Sequence, residues 1–151
     1  MKKKIAAISF AFLLPTIVAI GAYYGTVITP LLVIGAICAV TVFVALDKIN
    51  GRLLYPYIFG ISLSLIWQTT MMGVTVVGSD IHNELYFAKL NTLQAWDLTY
   101  PDSSNTSVVI GLLAPFLSKL LMLDMVWVFK LVLPVFLAAV PVVLFATFKR
   151  L

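Results

Sequence analysis

Charge is what this chain has least of. Asp, Glu, Lys and Arg make up 11% of its 151 residues, while 62% are hydrophobic. A soluble domain is about 25% charged and about 45–50% apolar, so this pool cannot supply a water-facing surface. That excludes a soluble nucleotide-sugar enzyme. Cysteine occurs once, at Cys38 within an apolar run, which excludes an intrachain disulfide and a cysteine-based metal site. There is one histidine, His82, and no zinc-ligand spacing, glycine-rich phosphate loop or nucleophile elbow. The net charge is +4, yet the basic residues stand at the ends of apolar segments and form no basic stripe with interleaved aromatics. Nucleic acid is therefore excluded as a partner.

What is present is a succession of charge-free runs of membrane-spanning length. Ile5–Tyr24 follows Lys2, Lys3 and Lys4. Ala19-Ile20-Gly21 resembles a small-residue cleavage site, but the apolar run is too long for a signal peptide and no polar segment follows it. A second span is expected over Leu31–Leu46, forming a tight hairpin with the first. Its small residues, Gly35, Ala36 and Ala39, suit close helix packing. After the polar loop 47–52, Leu53–Val77 gives a third span whose Trp67-Gln68-Thr69-Thr70 is polar enough to face protein. Val108–Leu117 is too short to cross and reads as interfacial or re-entrant. Leu120–Leu123 is a second short apolar turn, and Met125–Phe148 is the last span. The expected fold is all-α and integral to the membrane, with about four transmembrane helices. Residues 1–52 form an amino-terminal hairpin with its loop, and residues 53–151 a second part.

Charge orients the chain. With the amino terminus in the cytoplasm, that side collects Lys2, Lys3, Lys4, Lys48, Arg52, Lys149 and Arg150 against Asp47 alone. The other side collects Lys89, Lys119 and Lys130 against Asp80, Glu84, Asp97, Asp102 and Asp124. The positive-inside rule then places both termini in the cytoplasm and residues 78–124 outside the cytoplasmic membrane.

Within that loop, 78–107 is the one long polar stretch, carrying His82, four acids and the pair Trp96-Asp97. Ile81–Leu93 has the spacing of an amphipathic helix, with Ile81, Leu85, Ala88 and Thr92 on one face and Leu93 beside them. His82, Glu84, Lys89 and Asn91 fall elsewhere. Asp80 is expected to cap it, with Gly78 turning the chain before it. Such a helix is expected to lie on the membrane surface, apolar side down. Three chemical readings stay open for Asp80, His82 and Glu84. A carboxylate can deprotonate an acceptor hydroxyl, or Asp80 and Glu84 can share Mg or Mn with a substrate phosphate. The third is a solvated loop with a capped helix and no chemistry.

The segment from Trp67 to Arg150 resembles the start of a GT-C type glycosyltransferase. A span, an acidic extracytoplasmic loop with short helices and a returning span follow one another as Leu53–Val77, 78–124 and Met125–Phe148. GSDIHNELYFAKL, Trp96-Asp97, Asn105-Thr106-Ser107 and Phe129-Lys130 with Pro134 are similar to an uncharacterised group of archaeal multi-span membrane proteins that carry Gly-Ser-Asp-Ile-His-x-Glu. The resemblance implies transfer of a sugar from a polyprenyl-phosphate donor at the outer membrane face. Asp80 would be the first-loop acid, as base or metal ligand, with Glu84 and His82 supporting it and Asp97 as a further acid. GT-C enzymes have more spans than this chain. The resemblance therefore implies a fragment or truncated member, inactive alone, whose partners are membrane lipids, the lipid-borne sugar and further transmembrane segments of the same enzyme. The other reading is a four-span scaffold binding a protein or a lipid headgroup. Lys130, inside the last span, could meet a lipid phosphate or snorkel to the interface. Asn105 begins an N-glycosylation sequon expected to be unused.

Overall fold

A computed structural model of the chain describes residues 2–94, 96 and 103–149. Asp97 and Asp102 lie outside the described residues, as does Arg150. The described residues form seven helices and no strand: α1 Lys2–Tyr23, α2 Ile28–Ala45, α3 Leu54–Thr70, α4 Ser79–Leu93, the single turn α5 Ser103–Thr106, α6 Val109–Leu121 and α7 Met125–Phe148. Helices α1, α2 and α7 are long and apolar enough to cross a membrane. Their outward side chains are large and apolar, among them Leu31, Ile34 and Phe43 on α2 and Phe136, Leu137 and Val143 on α7. In water such continuous apolar faces would have to be covered. Hydroxyls within these helices are satisfied by their own backbone. Thr16 donates to the Phe12 carbonyl at 2.7 Å, Thr41 to Ile37 at 2.8 Å and Thr147 to Val143 at 3.0 Å. This suits helices without surrounding water.

The chain divides into two compact units, 1–73 with 134–151 and 74–133. The boundary expected at residue 52 falls inside the first unit.

In the first unit α1 packs chiefly along α3, not in the tight α1–α2 hairpin the sequence suggests. Small residues set this pairing: Ala7 and Ala11 on α1, Gly60 and Ser64 on α3, all buried. A Cβ on Gly60 would stand 2.9 Å from the Ala11 Cα. The Ser64 hydroxyl turns back to the Gly60 carbonyl at 2.6 Å. Gly35 and Ala39, expected to bring α2 close, are exposed, and Gly35 faces open space. Only Thr29 and Val33 are buried on α2.

The third apolar run is helical only over Leu54–Thr70. Seventeen residues rise about 25 Å, short of a hydrocarbon core of about 30 Å. Residues 71–78 leave the helix, with Gly73 at φ +63°. Thr69 bonds its own helix at Ile66, and the buried Trp67 Nε1 and Gln68 Oε1 have no hydrogen-bond partner. The interhelical bonding expected of Gln68 is therefore not made by its oxygen.

In the second unit the two short segments expected over 108–123 merge into α6, ended by Met122 in a left-handed conformation. Helix α6 begins with a π-helical turn, Val109–Leu113, and α7 contains one, Val128–Val132, after its first turn Met125–Trp127. Phe87, Ala88, Ile110, Ala114, Met125 and Val128 form the core they share with α4.

Gly60→Val is expected to weaken α1–α3 packing by about 1–3 kcal/mol through overpacking. Gly35→Val, with room around it, should change stability by less than about 0.5 kcal/mol. Unfolding midpoints of both variants in one detergent check the contrast.

Candidate functional site

The candidate residues sit at the start of α4, and its packing decides which of them face out. Gly78 occupies the N-cap position at φ 132° and ψ 150°, a conformation open to glycine. The helix starts at Ser79, so Asp80 lies in its first turn and not at the N-cap position, with its charge near the positive end of the helix dipole.

From there Ile81, Leu85 and Ala88 face inward, as the spacing indicates, joined by Phe87. Their cover is protein, since α4 packs on α6 and on the first turn of α7. The expected orientation on a membrane surface, apolar side down, is not what this face is used for. Leu93, placed beside the apolar face, is 87% exposed, whereas Asn91, placed away from it, is 8% exposed.

Asn91 is buried because it has a partner. Its Nδ2 donates to the Asn105 Oδ1 at 3.1 Å. Asn105 is 1% exposed, and its carbonyl accepts from the Trp96 Nε1 at 2.8 Å. The indole lies against Gly111, where a Cβ would come within 2.5 Å of Nε1. Glycine is what lets the ring settle on the first turn of α6. One bracket thus ties α4, Trp96, α5 and α6. It accounts for the inward position of Trp96 and for the burial of Asn105, the first residue of the sequon.

Lys130 is the other polar group drawn inward. It is fully buried beside Val128 and Phe129, and its Nζ donates to the Thr75 carbonyl at 2.9 Å. It does not snorkel. Its bond and the buried Val76 side chain fasten the non-helical stretch that leads into Gly78 and α4. Lys130 therefore positions the start of α4.

Asp80, His82 and Asn83 are exposed, and Glu84 is half-buried. Burial, followed by the nearby Asp80 carboxylate, pushes the Glu84 carboxyl above its ordinary range. Two carboxylates one helical turn apart, one of them inclined to keep its proton, form the acid–base feature of this site. Among the described residues no group of three His, Cys, Asp or Glu side chains gathers to hold a metal ion. Asp80 and Glu84 would supply two ligands at most, leaving the rest to substrate oxygens and water.

No protein-family model, no curated protein and no solved structure matches the chain.

Replacing Asn91 by Leu strands the amide of a buried partner and should cost about 1–3 kcal/mol. Asn91→Leu with Asn105→Leu should recover part of that loss, since neither amide is then left facing the other's absence. Thermal unfolding of the two single variants and the double variant measures the coupling.

The raised Glu84 pKa carries a sign. Folding favours the protonated form, so its contribution to stability is complete below the ordinary value of 4.5 and is lost as pH rises through the folded-state value. Glu84→Gln should flatten this segment of the stability–pH profile, and Asp80→Asn should shift it to lower pH.

Proposed function

We propose that the chain is an integral membrane protein of GT-C type, serving transfer of a sugar from a polyprenyl-phosphate donor at the outer face of the cytoplasmic membrane. In this reading α3 with the non-helical stretch after it makes a third crossing and α7 the fourth. Both termini are cytoplasmic in this reading, and residues 78–124 are extracytoplasmic. The observation that carries the proposal is the acid pair Asp80 and Glu84 at the start of α4, fastened from behind by Lys130. Asp80 is exposed and takes the role of base toward an acceptor hydroxyl. The half-buried Glu84, with its raised pKa, holds or returns a proton beside it. His82, exposed on the same turn, supports them. Mg or Mn, if used, would draw on Asp80 and Glu84 to offset the donor phosphate charge.

A second reading is a non-enzymatic scaffold. The observation favouring it is that Asn91, Asn105, Trp96 and Lys130 all spend polar groups on internal bonds. That leaves few for substrate.

With the further transmembrane segments of the enzyme present, Asp80→Asn should lower transfer from a labelled polyprenyl-phosphate sugar in membranes by at least about 100-fold, the usual scale of a lost general base. Undiminished transfer would remove Asp80 from the mechanism. A stoichiometric co-purifying protein whose binding ignores the substitution would support the scaffold.

A further inference from the structure

The first unit contains a cavity of about 440 Å³ between α1, α2 and the start of α3. Its walls are apolar, formed by Ala6 and Phe10 of α1, Ala36, Ala39 and Phe43 of α2, and Tyr57 of α3. The charged groups in the lining are two ammonium groups, Lys3 and Lys48, and no carboxylate joins them. A second hollow in the same unit, of about 370 Å³ and walled by Ile8, Phe12, Tyr55, Phe59, Ala139 and Val143 among others, has no charged lining residue. Of these two hollows, the first is the one with a cationic lining.

Side-chain size explains why this space exists. Ala36 and Ala39 are the small residues that were expected to draw α2 against its neighbour, yet Ala39 and Phe43 are exposed while also lining the cavity. Helix α2 stands off from α1 here, and the space opens sideways onto the apolar surface of the unit. Lys3 precedes the apolar part of α1 and Lys48 follows α2, so both lie at one end of these helices. Lys149 reaches the same end, since a Cβ on Gly51 would strike its Nζ. Its ammonium is engaged elsewhere, 5.9 Å from the Tyr55 and Phe145 ring centroids.

We propose that this groove binds an anionic phospholipid, one acyl chain lying between α1 and α2 with its phosphate held by Lys3 and Lys48. A groove that opens among membrane-facing side chains is filled by hydrocarbon, and two cations at its mouth select the sign of the headgroup. The volume is that of a small-ligand site, so it takes part of one chain and not a second helix. Charge complementarity decides the occupant: a neutral lipid or an apolar peptide would leave both ammonium groups unpaired at the mouth.

The test uses the purified full chain in detergent, given equal amounts of dioleoyl phosphatidylglycerol and dioleoyl phosphatidylcholine, with retained lipid counted by native mass spectrometry. The wild type should retain phosphatidylglycerol preferentially. Lys3→Gln with Lys48→Gln should cut that preference by about thirtyfold, on the scale of two lost surface-lysine contacts. Both side chains are exposed, so the helix packing does not depend on them. Lys149→Gln removes an equal charge at the same end outside the groove and should leave the preference intact. Ala39→Phe fills the groove, keeps both lysines and should lower retention of either lipid. An unchanged preference in the double-lysine variant overturns the proposal, as does an equal loss in Lys149→Gln, which would mean diffuse attraction to the basic end. Undiminished retention in Ala39→Phe, or competition by glycerol 3-phosphate as strong as by the lipid, also overturns it, because the chain would then not be bound in the groove.

Discussion

The bond from the Lys130 ammonium to the Thr75 carbonyl governs how the second unit presents its acids. Lys130 is buried in α7 among Val128 and Phe129, where an isolated charge would be costly, and it is held there by the Thr75 carbonyl at 2.9 Å. The bond joins residues 55 positions apart in the chain. Val76, one residue on, fills the adjoining core. Together they hold the segment that turns at Gly78 into α4, so Asp80 and Glu84 emerge from a fastened base instead of a free loop. The π-helical turn over Val128–Val132 lies at the lysine itself, a local rewinding of the kind that re-aims side chains.

The same rule applies at the other end of α4. Asn91 can be buried only because Asn105 meets its amide, and Asn105 only because Trp96 and Asn91 use its polar atoms. Gly111 makes room for the indole. On the first turns of α4, Asp80, His82 and Asn83 are exposed beside the half-buried Glu84. In the first unit α1 and α3 approach closely at Gly60. Its α2 stays loosely packed and borders the groove with Lys3 and Lys48 at its mouth.

Much of the fold was legible in the chain. Long apolar runs mark α1, α2 and α7 because their length and apolarity are properties of composition, which no packing alters. Ile81, Leu85 and Ala88 show the inward face of α4 for a similar reason, since 3.6-residue spacing is local. Residues whose meaning depends on a distant partner were not legible in this way. No local pattern shows that Asn91 meets Asn105, that Trp96 bonds the Asn105 carbonyl, or that Lys130 turns inward to Thr75 instead of snorkelling. Each is explained by a contact made across a turn or between helices. Gly35 and Ala39 matched the small-residue pattern of a helix interface, but Ala7, Ala11, Gly60 and Ser64 form it. Size permits close approach without choosing which helix approaches.

By itself, then, the sequence determined the solvent this protein is made for, the existence of its long helices and the acidic, polar character of the 78–107 stretch. These depend on residue type and on spacing within one element. Only the tertiary structure decided where the third apolar run stops being helical, which helix lies against α1, what covers α4 and which polar groups are spent internally. Those outcomes turn on pairing: in an apolar interior a buried donor or acceptor is stable only with its complement. The complement of Lys130, of Asn91 or of Trp96 is many residues away, where no local pattern can announce it.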